Sequence, residues 1–143
     1  RPIFWLEKAQ AVVAQMREKY SGTTVAIGEM QNGNAFEMAL ALTRYGFIVR
    51  EIYANLGPDD FVYLRHLAEL SPETKVYSNL SPSMLYYEGD EASIDVTIGK
   101  DAAYYHEQAA HLHWDEDIQP FGYAGVVSLL KRLEEVLLER KKR

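Results

Sequence analysis

The sequence contains no cysteine. A disulfide framework is excluded, and so is an iron–sulfur cluster held by this chain's own thiolates. No apolar run approaches the ~20 residues needed to span a bilayer. No charged n-region followed by an apolar h-region opens the chain. The expectation is a cytoplasmic protein with no membrane partner. Positive charge is in the minority: 15 Lys and Arg stand against 21 Asp and Glu, for a net charge of −6. A chain of that sign repels phosphate backbones, so nucleic acid is not an expected partner. The basic end, Arg140-Lys141-Lys142-Arg143, reads as a solvated terminus favoured by the negative end of a helix dipole. There is no linker and no low-complexity stretch.

What is present fits one globular domain. The chain has 143 residues, 48% hydrophobic and 25% charged. It opens Arg1-Pro2, without Met, which leads to the expectation of a domain cut from a longer protein. Helix and strand signals alternate. Leu6, Ala9, Val12, Val13, Met16 and Tyr20 make a first helical stripe, stopped at Ser21-Gly22. Thr23 to Gly28 is β-branched and apolar on both faces, which suits a strand inside a parallel sheet. A helix with Phe36, Ala39, Leu40 and Leu42 follows and ends at Gly46, and Phe47 to Tyr53 reads as the second strand. Pro58-Asp59-Asp60 opens a third helix. Lys75 to Ser78, Ile94 to Gly99 and His111 to Trp114 read as further strands. A brief helix starts at Ser81 and ends before Gly89, and one or two helical turns cover Asp101 to His106. Val126, Leu129, Leu130, Leu133, Val136 and Leu137 mark a long last helix. Five β units joined by helices imply one α/β domain with a mostly parallel sheet.

In open parallel sheets, ligands bind beyond the carboxyl ends of the strands. Five tips qualify: Gly28 to Asn34, Ala54 to Gly57, Ser78 to Ser81, Gly99 to Asp101 and Asp115 to Tyr123. Among their polar residues, Glu29, Gln31, Asn32, Asn55 and Lys100 are the candidate cofactor-binding positions. Gly33 is placed to let a helix N-terminus approach an anion. The same loop also reads as an ordinary turn built from Asn and Gly. Gly28 and Gly33 do not complete a G-x-G-x-x-G fingerprint, and no P-loop Lys-Ser/Thr pair exists. Glu51 lies near where a ribose-binding acid would stand, but inside its strand.

His111, His113 and the acids Asp115, Glu116 and Asp117, with His106 upstream, form the densest metal-like cluster. In a strand the two histidines share a face, yet consecutive acids diverge, so a surface loop is the simpler reading. His66 beside an apolar stripe reads as a packing residue. There is no nucleophile elbow, and Asp59-Asp60 and Glu134-Glu135 read as solvated helix surface. Tyr86-Tyr87 and Tyr104-Tyr105 could stack on a cofactor, but half-buried packing accounts for them. No catalytic and no metal-ligating residue is assigned.

Taken in order, several strings resemble the nitrogenase component 1-like family. Val25-Ala26-Ile27-Gly28-Glu29, with a helix running to Leu42-Thr43-Arg44-Tyr45-Gly46-Phe47, resembles its "V-A-I-x-G-D … L-x-x-L-G-M" unit. Asp95-Val96-Thr97-Ile98-Gly99 is similar to its "D-L-I-I-G" strand. Gln119-Pro120-Phe121-Gly122-Tyr123-Ala124-Gly125 resembles the "P-x-x-G-Y-x-G" start of a long helix. The family comprises the nitrogenase molybdenum-iron protein subunits, cofactor-assembly scaffolds and dark-operative protochlorophyllide reductases.

The resemblance implies a three-layer α/β/α Rossmann-like domain, the last of three in its parent. Four to five parallel strands are expected in the order 2-1-3-4-5, with residues 1–143 as one domain. The parent would be an oxidoreductase in which an ATP-dependent iron–sulfur reductase delivers electrons to a metallocluster, and this domain alone would not be catalytic. The implied partners are other domains of the same chain and further subunits of an oligomer. The cofactor would be an iron–sulfur or related cluster not held by this domain alone. Trp114-Asp115 match an "H-x-W-D" string in which the His ligates the cofactor. Leu112 stands at the His position, flanked by His111 and His113, and the resemblance makes His113 the sixth candidate cofactor-binding residue. The alternative is a Rossmann-like binding module for a small anion or nucleotide.

Overall fold

A computed structural model of the chain describes residues 2–29, 34–77, 94–113 and 123–141. The described elements are α1 (Pro2–Tyr20), β1 (Thr24–Gly28), α2 (Ala35–Arg44), β2 (Ile48–Tyr53), a 3₁₀ turn (Pro58–Asp60), α3 (Phe61–Leu70), β3 (Lys75–Tyr77), β4 (Val96–Ile98), α4 (Lys100–Tyr105), β5 (Ala110–Leu112) and α5 (Tyr123–Lys141). The strands form one five-stranded sheet, every described pair is parallel, and helices lie on both faces. The expected fold class is therefore found. The brief helix expected from Ser81 lies outside the described residues.

The strand order is β3-β2-β1-β4-β5, which corrects the expected 2-1-3-4-5. The third strand explains the difference. A strand between two neighbours must be apolar on both faces. Lys75 and Val76 are exposed, as an edge allows, whereas all of β4 is buried and sits against β1. The chain steps outward twice, through α2 and then α3, which pack on one another. It then returns to the other side of β1. The reversal of direction falls between β1 and β4.

One core joins α1, α2, α3 and α5 to the sheet face carrying Val25, Ile27, Val49, Ile52, Val96, Ile98, Ala110 and Leu112. Ala26, Tyr53, Ile94, Ala102 and Ala109 form a second cluster, beneath α4. The expected stripe of α5 is buried as Leu129, Leu130 and Leu133. Each such side chain contributes about 1.5–3 kcal/mol.

The alternation in β2 is broken. Val25 pairs with Val49 but Ala26 pairs with Glu51, so Arg50 is an extra residue. In a regular strand Val49, Glu51 and Tyr53 would share a face. The slip keeps Val49 and Ile52 in the main core and sends Tyr53 to the other side.

At the amino ends of the strands, Asp95 fastens the sheet. Its Oδ2 accepts from Thr24 N at 3.0 Å and Thr24 Oγ1 at 3.1 Å. Its backbone carbonyl accepts from Arg140 Nη1 at 2.9 Å, which ties α5 to β4. The first basic residue of the terminal run is thus a clasp.

At the carboxyl ends the fit is close. Gly99 has φ +94°, and a Cβ there would stand 2.9 Å from Glu29 O and Gly28 C. Gly22 has φ +88° but open space around its Cβ position. Gly99→Ala is expected to cost about 3 kcal/mol or more, from backbone strain plus the clash. Gly22→Ala should cost only about 1–2 kcal/mol of left-handed strain. Urea unfolding midpoints of the two variants check this, and equal losses would remove the close approach as a cause.

Tyr20 closes α1 against α5. Burial, and then the hydrogen bond and negative charge of Glu134, push its phenol above the usual tyrosine range. The neutral phenol is favoured in the folded state, so its contribution is complete below the ordinary value near 10. That contribution is lost as pH rises through the raised folded value. Stability should decline above pH ~10, and Tyr20→Phe should flatten that limb in alkaline thermal melts.

Candidate functional site

Beyond the tips of β1 and β2 lies a polar cleft of about 240 Å³, lined by Glu29, Asn34, Ala35, Phe36, Ala54, Asn55 and Asp60. Its walls follow from local chemistry. Asn34 caps α2: its Oδ1 accepts from Phe36 N at 2.8 Å and Glu37 N at 3.0 Å. Its Nδ2 donates to Asp60 Oδ1 at 2.7 Å. Asp60 Oδ2 in turn accepts from Gly57 N at 2.8 Å, which holds the turn after β2. Asn55 N donates to Glu29 Oε1 at 3.4 Å across the mouth. The cap, the turn and the two strand tips form one connected set of hydrogen bonds.

Of the six candidate positions, the structure brings Glu29 and Asn55 together in this cleft. Gln31 and Asn32, and Gly33 between the same elements, lie outside the described residues. Lys100 is exposed at the first turn of α4, next to Gly99, and does not line the cleft. His113 is exposed just past β5, at the far edge of the sheet, where its carbonyl accepts from Arg132 Nη2 at 3.2 Å. The strand that sequence placed at His111 to Trp114 is observed as Ala110–Leu112, and Trp114-Asp115 lie outside the described residues.

Asn34 lies in the first candidate tip, but its capping role was not read, and Asp60, read as solvated helix surface, is buried. The signal was available: Asn directly before an apolar helical stripe is a capping pattern.

The cleft favours some ligands over others. Phe36 N and Glu37 N, the amides that would meet an anion, are already occupied by Asn34. The lining carries two carboxylates and no cationic side chain. A ligand presenting hydrogen-bond donors, such as sugar hydroxyls, complements that lining better than a bare anion does. A larger hollow, of about 410 Å³, lies against α1 and is lined by Leu6, Ala9, Gln10, Val13, Ala14, Arg17, Tyr45 and Val126. It is mainly aliphatic and shares no residue with the strand tips.

A second cluster lies under α4. Glu51 and His106 are buried, with 6% and 0% of their surface exposed. His106 Nε2 is in a very short contact with Glu51 Oε1, and Tyr53 OH donates to the same oxygen at 2.7 Å. His111 is engaged elsewhere: Nδ1 meets Thr97 Oγ1 at 2.7 Å and Nε2 meets Glu107 O at 3.2 Å.

The geometry bears on metal binding. Among the described residues, no group of three His, Asp or Glu side chains converges as a metal site. No helix among them is long and apolar enough to cross a membrane.

No family model matches the sequence, and no curated protein matches it. A solved structure does. The chain superposes on one described as nitrogenase Cp1 at pH 6.5, with a TM-score of 0.77 and 15% identity over 97% of its length. This chain shares its fold with part of a nitrogenase chain. It spans 33% of the length of that chain.

The connected wall of the cleft is testable. Asn34→Ala removes the α2 cap and one partner of Asp60, and should cost about 1–3 kcal/mol. Asn34→Ser restores the cap acceptor but not the bond to Asp60, and should recover only part of the loss. Urea denaturation of both variants reads this out. Full recovery by serine would show that the tie to Asp60 contributes nothing.

Proposed function

We propose that this chain is one Rossmann-like domain of a longer, nitrogenase component 1-like oxidoreductase. In that role its strand tips help wall a metallocluster or substrate cleft used in ATP-driven reductive electron transfer. One observation carries the reading: a nitrogenase chain matches 97% of these residues, yet they make up only 33% of that chain. The polar cleft beyond the tips of β1 and β2 supports it, because the carboxyl ends of the strands are where such folds receive ligands. The chain supplies no thiolate, so any thiolate ligands of the cluster come from elsewhere in the parent. Other domains of the parent, an ATP-dependent iron–sulfur reductase and further subunits are the proposed partners. His113 and Lys100 are then candidates for facing those neighbours, since both are exposed.

The polar cleft favours a second reading, a ligand-binding module with no cluster in its parent. Glu29, Asn55 and Asp60 would hold a sugar or nucleotide by its hydroxyls.

Anaerobic purification of the full-length protein separates the two. The first reading expects a brown protein with bound iron, charge-transfer absorption in the visible and a paramagnetic resonance signal on reduction. A colourless, iron-free protein would sink it. The second expects the melting temperature to rise with millimolar nucleotide or sugar phosphate, by the mass-action stabilisation of the folded state, and Glu29→Ala to abolish the rise.

A further inference from the structure

The trio under α4 has no place in either reading, and its chemistry is specific. Glu51 Oε1 receives Tyr53 OH at 2.7 Å and His106 Nε2 in a very short contact, and Tyr53 OH lies 3.3 Å from His106 Nε2. Among the described residues His106 Nδ1 is buried and has no hydrogen-bond partner. This arrangement assigns the ring proton to Nε2, so the carboxylate accepts from both neighbours. Fold stability alone does not call for such a group. A buried ionisable set is commonly matched or bettered by apolar residues of the same volume, and an orphaned buried ring nitrogen adds a penalty. The Tyr53 ring also sits in a stack. Tyr77 lies 5.3 Å away on one side and Tyr105 5.0 Å on the other, each at an interplanar angle of 18°. Tyr105 touches Tyr104 at 5.1 Å, edge to face, and Tyr104 is 75% exposed.

We propose that Tyr53 is a proton-coupled redox site, oxidised through Tyr105 and Tyr104 by a metal-centred one-electron oxidant that meets the protein at Tyr104. A phenol that loses an electron becomes a strong acid, so oxidation is easy only where a base already holds its proton. Here the electron leaves through the stack to the oxidant, which is reduced by one unit. The O–H bond of Tyr53 breaks, and its proton joins Glu51 Oε1. The products are a neutral tyrosyl radical, a neutral carboxylic acid and the reduced metal centre. The proton moves only from Tyr53 to Glu51, so no ion has to enter or leave the buried site. His106 Nε2–H then remains to donate to the radical oxygen. Glu51 and His106 are positioning residues for this chemistry. The inference does not depend on a cluster in the parent.

The test uses the full-length protein and photogenerated tris(bipyridyl)ruthenium(III) as the oxidant. Rapid freezing should trap a neutral tyrosyl radical in the paramagnetic resonance spectrum. Ring-fluorinated tyrosine placed at position 53 keeps the hydroxyl and the packing, and should add a fluorine splitting to that signal. An unsplit signal, or none, overturns the proposal. Glu51→Gln, which keeps the shape but removes the base, should lower the radical yield at least about ten-fold, since a charge-assisted hydrogen bond is lost. An unchanged yield in that variant, with its melting temperature preserved, overturns it as well. Tyr104→Phe should slow formation of the radical without changing its spectrum, and an unchanged rate would rule out Tyr104 as the point of contact.

Discussion

The organisation of this domain rests on the contact between the ends of its two central strands. β1 and β4 converge until Gly28 and Gly99 meet backbone to backbone, with no room for a Cβ on Gly99. Because Gly99 takes a positive φ, the chain turns at once into α4. A Cβ on Gly28 would stand 3.1 Å from Ala102 N, so α4 rests directly on the tip of β1. That seating brings His106, at the end of α4, over the face of β2. It also leaves the other side of the β1 tip open, where Glu29 faces Asn55. One tight junction therefore sets both the position of the buried trio and the mouth of the cleft.

The slip in β2 does the second part of this work. An acid at position 51 on the main core face would face the apolar side of α2 and the valines and isoleucines of the sheet. An unpaired buried carboxylate costs several kcal/mol. The extra residue at Arg50 rotates Glu51 to the side where Tyr53 and His106 wait. Bulges characteristically re-aim side chains in this way. Here the irregularity and the buried polar group explain one another.

Much of this architecture was legible from residue patterns. The β-branched run of β1, the leucine stripe of α5 and the alternation of elements all follow from burial of apolar surface, which composition records directly. The strand order was less legible, because the deciding fact is that β3 carries Lys75 and tolerates exposure there. That is a tertiary consequence of which side of β2 the chain steps to. The cleft was half legible. Strand tips drew attention to Glu29 and Asn55, but the link from Asn34 to Asp60 spans 26 positions and has no sequence signature. The trio was not legible at all. Glu51 stood out only as an acid inside its strand, and Glu51 and His106 are 55 residues apart. A one-residue slip reverses every facing downstream of it, and sequence periodicity alone does not reveal where it falls.

The two ends of the sheet also differ in kind. At the amino ends Thr24, Asp95 and Arg140 satisfy one another, and the clasp is closed. At the carboxyl ends the bond across the mouth, from Asn55 N to Glu29 Oε1, spans 3.4 Å, and both residues are exposed. In a parallel sheet every strand presents its carboxyl end, and the turn into the next helix, on one edge, which is where ligands bind. At 15% identity to a nitrogenase chain, side chains at the tips have had ample room to change. Asp95 and Gly99 bracket the same short strand, one fastening its start and the other freeing its end.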